Sequence, residues 1–207
     1  MPRIEPFEKY SDAYDEWFNK NPDMYRVELE AVRQLVPSSK ARGVEIGVGS
    51  GRFAVPLGIE IGVEPSRKMA IKAIKQGVKI VTGVAENLPF SKSAFDLALM
   101  VTTVCFVDDV VKSFREVFRI LKPNGHIIVG FIDRESELGR RYIAKRDESK
   151  FYKEATFFSA QEVLQFLKQT GFRDITIRQT LISGLSQQAI LHGFGKGAFV
   201  VIRGAKN

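Results

Sequence analysis

The chain alternates short apolar segments with segments of helical periodicity, and this alternation limits the fold more than any other feature of the sequence. Nearly continuous apolar strands are typical of a parallel sheet that is covered by helices on both faces. The alternation therefore predicts an α/β fold built from strand–helix–strand units. The predicted strands are residues 43–47, 59–63, 78–81, 95–101 and 126–132, and the predicted helices between them are residues 51–57, 66–76 and 109–121.

Both ends of the chain depart from this alternation. Aromatic and apolar residues recur at helical spacing over residues 10–36, where Asn21-Pro22 divides them into two helices. Near the other end, a helix is predicted to begin at Ser159, which has the spacing of a capping box. Two strands follow it, 173–181 and 197–203, and they can pair antiparallel at one edge. The prediction is a seven-stranded, mostly parallel sheet with an antiparallel edge strand.

No repeat, low-complexity tract or linker divides the chain, so residues 1–207 are predicted to form a single domain. Within this domain, residues 1–37 form an N-terminal helical segment outside the strand–helix units. Residues 134–158 form an insertion before the C-terminal helix, with a further helix and a loop. The resulting prediction is one domain with two additions to its α/β core.

The cysteine content and the apolar segments restrict the cellular setting. Cys105 is the single cysteine, so the chain cannot form an internal disulfide or a cysteine-based zinc cluster. The apolar segment 97–107 is too short for a membrane span, and residues 1–5 lack the apolar core of a signal peptide. These features predict a cytoplasmic protein without a metal site or membrane contact. The net charge of +7 is compatible with a nucleic-acid partner but does not require one.

The strongest local signal is a glycine-rich turn between the first predicted strand and the first predicted helix, Glu45-Ile46-Gly47-Val48-Gly49-Ser50-Gly51. Glycines let the backbone approach a ligand closely, and the start of a helix offers unpaired N–H groups. Arg52 occupies the position where a dinucleotide-binding turn needs a small residue. Glu45 would repel a pyrophosphate but attract an ammonium group. The turn therefore favours a cationic ligand over a dinucleotide.

Two further turns follow the next predicted strands at the same edge of the sheet. Glu64 ends the second strand, where a carboxylate can hold both hydroxyls of a ribose. The third strand leads into residues 83–90, which contain Glu86. Together with Glu45, these residues place three carboxylates on one rim of a basic protein, which again suits a cationic ligand.

These segments together resemble the class I S-adenosylmethionine-dependent methyltransferases, specifically their small type-11 branch. The resemblance extends from about Tyr10 to the end of the chain and depends on the order and spacing of several motifs. It implies a doubly wound, Rossmann-like sheet of seven strands, the last antiparallel, and S-adenosyl-L-methionine as the cofactor. The motifs are Tyr14-Asp15-x-Trp17-Phe18, the glycine-rich turn, Glu64-Pro65-Ser66, Ala85-Glu86-Asn87-Leu88-Pro89-Phe90, Phe95-Asp96-Leu97 and Leu121-Lys122-Pro123-Asn124-Gly125.

The resemblance also implies a set of site residues. The glycine-rich turn would hold the methionine part of the cofactor and Glu64 the ribose, while Thr102 would lie near the transferred methyl group. The implied cofactor-binding residues are Glu45, Gly47, Gly49, Gly51, Glu64, Pro65, Ala85, Glu86 and Thr102. The N-terminal helices are predicted to act as a lid, the alternative being that their aromatic residues only pack in the core. On the substrate side the predicted residues are Tyr10, Tyr14, Trp17, Thr103 and Asp108.

Two features depart from the family pattern. Only residues 53–60 separate the turn from the second strand, so the first crossover must be unusually short. Val84 occupies a position where the family often has an aspartate for the adenine amino group. That contact would then fall to Glu86 or to the backbone.

The predicted function is methyl transfer from S-adenosyl-L-methionine to a small-molecule acceptor. This transfer is an in-line displacement, so the protein supplies alignment and desolvation rather than a nucleophile. An acceptor that still carries its proton would need a base, for which Asp108, Asp109 and Tyr14 are the candidates. The alternatives are an RNA or protein methyltransferase and a non-catalytic S-adenosylmethionine-binding protein. The sequence contains no nucleic-acid-binding module, so a nucleic-acid partner is not expected.

Overall fold

One sheet of eight strands organises the computed structural model, which describes residues 3–37, 41–184 and 189–207. Residues 1–2 of the predicted N-terminal segment lie outside the described residues. The strands are β1 (Gly43–Ile46), β2 (Ile61–Val63), β3 (Lys79–Val81), β4 (Phe95–Val101), β5 (Leu121–Ile132), β6 (Arg173–Ile182), β7 (Leu191–His192) and β8 (Gly197–Ala205). Their order in the sheet is β3-β2-β1-β4-β5-β8-β6-β7. Strands β1 to β5 are parallel to one another, and β8 is antiparallel to both β5 and β6.

Helices connect and cover these strands. They are α1 (Glu5–Lys9), α2 (Ser11–Lys20), α3 (Pro22–Arg33), α4 (Arg67–Lys75), α5 (Val110–Ile120), α6 (Glu137–Ala144) and α7 (Ala160–Gln169). The predicted α/β, Rossmann-like fold with a mostly parallel sheet is confirmed. The crossover from β1 to β2 is short, as the spacing predicted, but it contains a 3₁₀ turn, Val55–Leu57, in place of the helix predicted over residues 51–57. No helix in the described parts of the chain is both long and apolar enough to cross a membrane.

Both faces of the sheet are buried, which explains the continuous apolar segments of the sequence. In β4, Leu97 and Leu99 point to the face that α3 and α4 cover. Ala98 and Met100 point to the opposite face, which α5 and α7 cover. All four side chains are at most 2% exposed, and burial of a large apolar side chain contributes roughly 1.5–3 kcal/mol. The central strands therefore anchor the loops at the edge of the sheet to a core packed on both faces.

The structure differs from the sequence-based prediction at three further places. The sheet has eight strands rather than seven, because the two residues of β7 pair with Arg178 and Gln179 of β6. Strand β5 begins at Leu121 rather than at residue 126, because Leu121 pairs with Phe95 and Asn124 takes a positive φ of +62°. Helix α1 was not predicted, and its five residues bury no side chain. Each of these elements is too short or too irregular to leave a periodic pattern.

The strand order reverses between β1 and β4. Strand β2 lies on the other side of β1, and β5 lies on the other side of β4. In such sheets the crevice beyond the C-terminal ends of the strands at the reversal point is the usual ligand site. The glycine-rich turn follows β1, and the turn that begins with Glu64 follows β2. The topology therefore brings the predicted cofactor-binding turns to one crevice.

Candidate functional site

The glycine-rich turn depends on glycine for both its conformation and its space. Gly47, Gly49 and Gly51 have φ angles of +68°, +56° and +88°, which residues with a Cβ rarely adopt. The N–H of Gly47 donates to the carbonyl oxygen of Val63 at 2.8 Å, which fixes the turn to β2. A Cβ on Gly47 would lie 2.5 Å from Cγ2 of Thr103. No larger residue fits at Gly47 unless the side chain of Thr103 moves.

Glu64 braces the same turn from the end of β2. Its carboxyl oxygens accept hydrogen bonds from the N–H groups of Gly49 and Ser66, each at 2.8 Å. Burial raises the pKa of Glu64 to about 7, although both hydrogen bonds favour the charged form. Glu64 is only 6% exposed, and it borders the cavity described below. It therefore presents a carboxyl group that ionises near neutral pH.

The carboxyl of Glu45 lies behind the turn. It accepts a hydrogen bond from the backbone N–H of Ala54, while its Oε2 has no hydrogen-bond partner among the described residues. Burial, with a smaller contribution from the charge of Glu64, raises the pKa of Glu45 well above its ordinary value. The buried position thus favours the protonated form of Glu45.

Asp15 fastens α2 to the glycine-rich turn. Its Oδ1 accepts hydrogen bonds from Oγ of Ser50 at 2.6 Å and from Nε of Arg52 at 3.2 Å. Its Oδ2 accepts one from Nζ of Lys72 on α4 at 2.9 Å. Burial alone would raise the pKa of Asp15, but the hydrogen bonds from Ser50 and Lys72 hold it below its ordinary value. Asp15 therefore links the N-terminal helices to the glycine-rich turn.

A cavity of about 220 Å³ opens beside the turn, and three parts of the chain form its wall. The strand ends contribute Gly47, Gly49, Glu64, Pro65, Ala85, Glu86, Thr102 and Thr103, the N-terminal helices contribute Phe7, Tyr14, Trp17 and Glu28, and residues 134–158 contribute Tyr142, Phe151 and Tyr152. Most of the predicted site residues thus come together around one space. Four others do not border it: Glu45, Gly51, Tyr10 and Asp108.

Tyr14 lies directly over the glycine-rich turn. Its hydroxyl hydrogen-bonds the side chain of Thr102 and lies 3.3 Å from the place a Cβ on Gly49 would take. Burial, followed by the charges of Glu45 and Glu64, raises the pKa of Tyr14 above its ordinary value. Tyr14 therefore stays protonated at neutral pH, and this argues against it as a general base.

Glu86 joins the turn after β3 to the start of α5. Its Oε1 accepts hydrogen bonds from the N–H groups of Asp108 at 2.7 Å and Asp109 at 3.2 Å. The Asp109 carboxyl accepts one from the N–H of Lys112 at 2.9 Å, so Asp109 caps the first turn of α5. Asp109 is thus committed to α5.

Glu28, which was not predicted from the sequence, borders the cavity from α3. Glu28 is 4% exposed, and no hydrogen bond or ion pair joins its carboxyl to any residue that the structure describes. Burial raises its pKa to about 8. A signal was available, since Glu28 precedes Val32 by four residues and so lies on the apolar face of the helix.

The aromatic residues of the insertion were also missed. Tyr152 stacks on Phe106 with ring centroids 6.1 Å apart and on Tyr142 with centroids 5.1 Å apart. Phe7 of α1 meets Phe106 edge to face at 4.9 Å. The charged residues around Tyr142 and Tyr152 give this segment the sequence pattern of a solvated helix. The sequence therefore shows no periodic apolar face from which these contacts could be predicted.

Comparisons with known proteins agree with this geometry. Residues 44–129 match the methyltransferase domain family. A crystal structure of a SAM-dependent methyltransferase from Thermotoga maritima, named "possible histamine N-methyltransferase", superimposes with a TM-score of 0.94. Its sequence is 50% identical, and the match covers 99% of this chain and 100% of the Thermotoga chain.

Two curated relatives extend the comparison. An uncharacterized protein of Methanocaldococcus jannaschii is 44% identical over 203 residues, which are 97% of this chain and 98% of the relative. An uncharacterized protein of Mycobacterium tuberculosis is 35% identical over 184 residues, which are 87% of this chain but 65% of the relative. The glycine-rich turn, the braced carboxyl at the end of β2 and the full-length match to the Thermotoga protein lead to one conclusion: the chain belongs to the class I, type-11 methyltransferases, enzymes that use S-adenosylmethionine as cofactor.

Proposed function

We propose that this methyltransferase methylates a small molecule bound in the cavity beside the glycine-rich turn. The observation that carries the proposal is the enclosure of the cavity by the N-terminal helices and by residues 134–158, with Phe7, Trp17 and Tyr152 in its wall. Such a wall favours a compact, partly apolar acceptor and excludes water from the reaction. The name of the Thermotoga relative, which specifies a small amine, supports an acceptor of this size.

The residues around the turn fit the cofactor. When bound, S-adenosylmethionine supplies a methyl group activated by a sulfonium. Gly47 and Gly49 have no Cβ and leave the backbone open to the methionine part, while the Glu64 carboxyl would accept hydrogen bonds from the ribose hydroxyls. Tyr14 and Thr102 would border the transferred methyl group. The protein's own contribution is alignment and the exclusion of water.

The remaining predicted cofactor residues divide into two groups in this proposal. Pro65, Ala85 and Glu86 border the cavity, and we assign them to the adenine side. Glu45 and Gly51 do not border it, so we assign them to the positioning of the turn. For Glu45, the hydrogen bond from Ala54 supports this role.

We expect Gly47→Ala to weaken binding of S-adenosylhomocysteine, the demethylated cofactor, by at least about tenfold. The left-handed conformation costs an alanine roughly 1–2 kcal/mol, and the new Cβ would also displace Thr103. Isothermal titration calorimetry measures the change.

Gly58→Ala is the matched control for this substitution. Gly58 has nearly the same φ, +70°, but a Cβ there would meet no atom within 4 Å. This variant should bear the conformational cost and keep the wild-type affinity for S-adenosylhomocysteine. Wild-type affinity in Gly47→Ala, or an equal loss in both variants, would count against the assigned cofactor site.

We also assign α1 and the first part of α2 to a lid, and residues 134–158 to the substrate side. Helix α1 buries no side chain, and Glu8 ties it to the core by accepting a hydrogen bond from Oγ of Ser66 at 2.8 Å. The contact is partly exposed on the Glu8 side, and a polar contact at the edge of the fold can break and re-form at modest cost. Phe18, which is 7% exposed, packs in the core together with α3. The lid therefore ends before Asp15, whose hydrogen bonds from Ser50, Arg52 and Lys72 hold α2 to the core.

The class of acceptor is tested with S-adenosylmethionine that carries a labelled methyl group. A cell extract is separated by size, and each fraction is incubated with the enzyme and the labelled cofactor. We expect label in the small-molecule fraction, because the enclosed cavity admits a compact acceptor and not a folded macromolecule. Label in acid-precipitable RNA or protein, absent from reactions with heat-inactivated enzyme, would replace this proposal with the macromolecular alternative.

A further inference from the structure

Glu28 differs from the other charged residues that border the cavity, Arg3, Glu64 and Glu86. Arg3 donates hydrogen bonds to the carbonyl oxygen of Cys105 and to the hydroxyl of Thr156. The carboxyls of Glu64 and Glu86 each accept two hydrogen bonds from backbone N–H groups. Within residues 3–37, 41–184 and 189–207, the Glu28 carboxyl has no such partner. Among the charged residues that the structure describes in this wall, Glu28 is the one whose side chain has no hydrogen-bond partner.

The position of Glu28 on α3 is otherwise an apolar one. Its buried neighbours on the helix are Val27, Ala31 and Val32, and the last two pack in the core with β4. A buried carboxyl without a partner destabilises the folded protein, and nothing in the packing of α3 requires one there. A ligand that brings a donor and a positive charge into the cavity would supply the missing partner.

The surroundings of Glu28 also suit a cation. Tyr142 and Tyr152 border the same cavity as Glu28. Burial raises the pKa values of both tyrosines, and the charge of Glu28 adds to the shift. Trp17 borders the same cavity. The faces of such aromatic rings carry partial negative charge and attract an ammonium group. A carboxyl among aromatic rings therefore selects a cationic group over a neutral or anionic one.

We propose that the methyl acceptor carries an amino group and that Glu28 binds it. The ammonium form brings N–H donors to the carboxyl and positive charge to the aromatic rings. An alcohol of the same skeleton offers one uncharged donor, and a carboxylic acid would place two negative groups side by side. This inference rests on the proposed function, because it places the acceptor in the same cavity.

The test compares amines with alcohols of the same skeleton, at a saturating concentration of S-adenosylhomocysteine. The probes are isobutylamine, cyclohexylmethylamine and 2-phenylethylamine, with isobutanol, cyclohexylmethanol and 2-phenylethanol as their counterparts. Trp17 is the single tryptophan and borders the cavity, so its fluorescence reports binding, and calorimetry gives the affinity. In the unmodified protein, at least one amine should bind about tenfold or more tightly than its alcohol.

The variant Glu28→Gln isolates the carboxyl. It keeps the size of the side chain and removes its negative charge, so affinity for the preferred amine should fall by about 10- to 150-fold while affinity for the alcohol does not fall. Glu30→Gln is the matched control, since Glu30 lies on the exposed side of the same helix in an ion pair with Arg33. That control should bind the amine as the unmodified protein does.

Two results would overturn the inference. One is that no amine binds more tightly than its alcohol in the unmodified protein, a comparison that needs no variant to fold. The other is that Glu28→Gln keeps the amine affinity. Binding of S-adenosylhomocysteine in the same preparations separates this failure from a failure of the proposed function, because the cofactor would still bind if only the amine assignment were wrong.

Discussion

Replacement of Glu64 with alanine is expected to weaken S-adenosylhomocysteine binding by about 10- to 150-fold. A hydrogen bond to a charged group contributes roughly 1.5–3 kcal/mol, which corresponds to that range even if only one contact is lost. The substitution removes the acceptor for the ribose hydroxyls. It also leaves the N–H groups of Gly49 and Ser66 without their shared partner, so the glycine-rich turn loses its brace. Calorimetric titration of the purified variant measures both effects together.

Glu60→Ala is the control for this experiment, because it makes the same substitution just before the same strand. The Glu60 side chain is 74% exposed and pairs with Lys79 at 2.9 Å, a surface contact that contributes little to stability. This variant should bind S-adenosylhomocysteine normally. An unchanged affinity in Glu64→Ala would contradict the placement of the ribose at the end of β2.

The parts of the fold that the sequence predicted are those with a long periodic pattern. Strand β4 is apolar at nearly every position because both of its faces are buried, and this pattern is visible without a structure. Strand β7 could not be predicted, since two residues carry no periodicity and pair only because β6 extends beside them. The early start of β5 depends on the left-handed conformation of Asn124, which a propensity argument does not provide.

The residues of the candidate site also divide into those that the sequence predicts and those that only tertiary packing brings to the cavity. Gly47 and Glu64 were predicted from sequence, because the loops that follow parallel strands must meet at one edge of the sheet. Glu28 and Tyr152 reach the cavity from a helix and an insertion whose docking depends on tertiary packing. For Glu28 the sequence still held a clue, a carboxylate at a buried helical position. For Tyr152 it held none.

Local context also decides between the candidate bases. Tyr14, Asp108 and Asp109 were equivalent as ionisable residues near the rim. In the structure, burial keeps Tyr14 protonated, the Asp109 carboxyl caps α5, and Asp108 lies outside the cavity wall. The chemical role of each residue therefore follows from its burial and partners, which residue type alone does not specify.

Glu28 should make the stability of the protein depend on pH in a way that Glu28→Gln removes. Burial raises the pKa of Glu28 to about 8, against 4.5 for an unburied glutamate. Between these values the unfolded chain has lost the proton that the folded protein still holds, so the free energy of unfolding falls as the pH rises from about 4.5 to 8. Above pH 8 the contribution of Glu28 no longer changes. Relative to Glu28→Gln, the unmodified protein should lose roughly 3 kcal/mol between pH 5 and pH 8.

Thermal unfolding at a series of pH values measures this difference. For a chain of this length, roughly 3 kcal/mol corresponds to a shift of roughly 6–12 °C in the midpoint. Glu45 and Glu64 also have raised pKa values, so both proteins lose stability as the pH rises, and only the difference between the two curves reports Glu28. Glu30→Gln, on the exposed side of α3, should follow the unmodified protein at every pH. Parallel curves for Glu28→Gln and the unmodified protein would mean that the Glu28 carboxyl is solvated or paired in solution.

A saturating amine should reduce the difference between the two curves at pH 8. The bound ammonium group stabilises the ionised Glu28 carboxyl in the folded unmodified protein, and the variant has no carboxyl to stabilise.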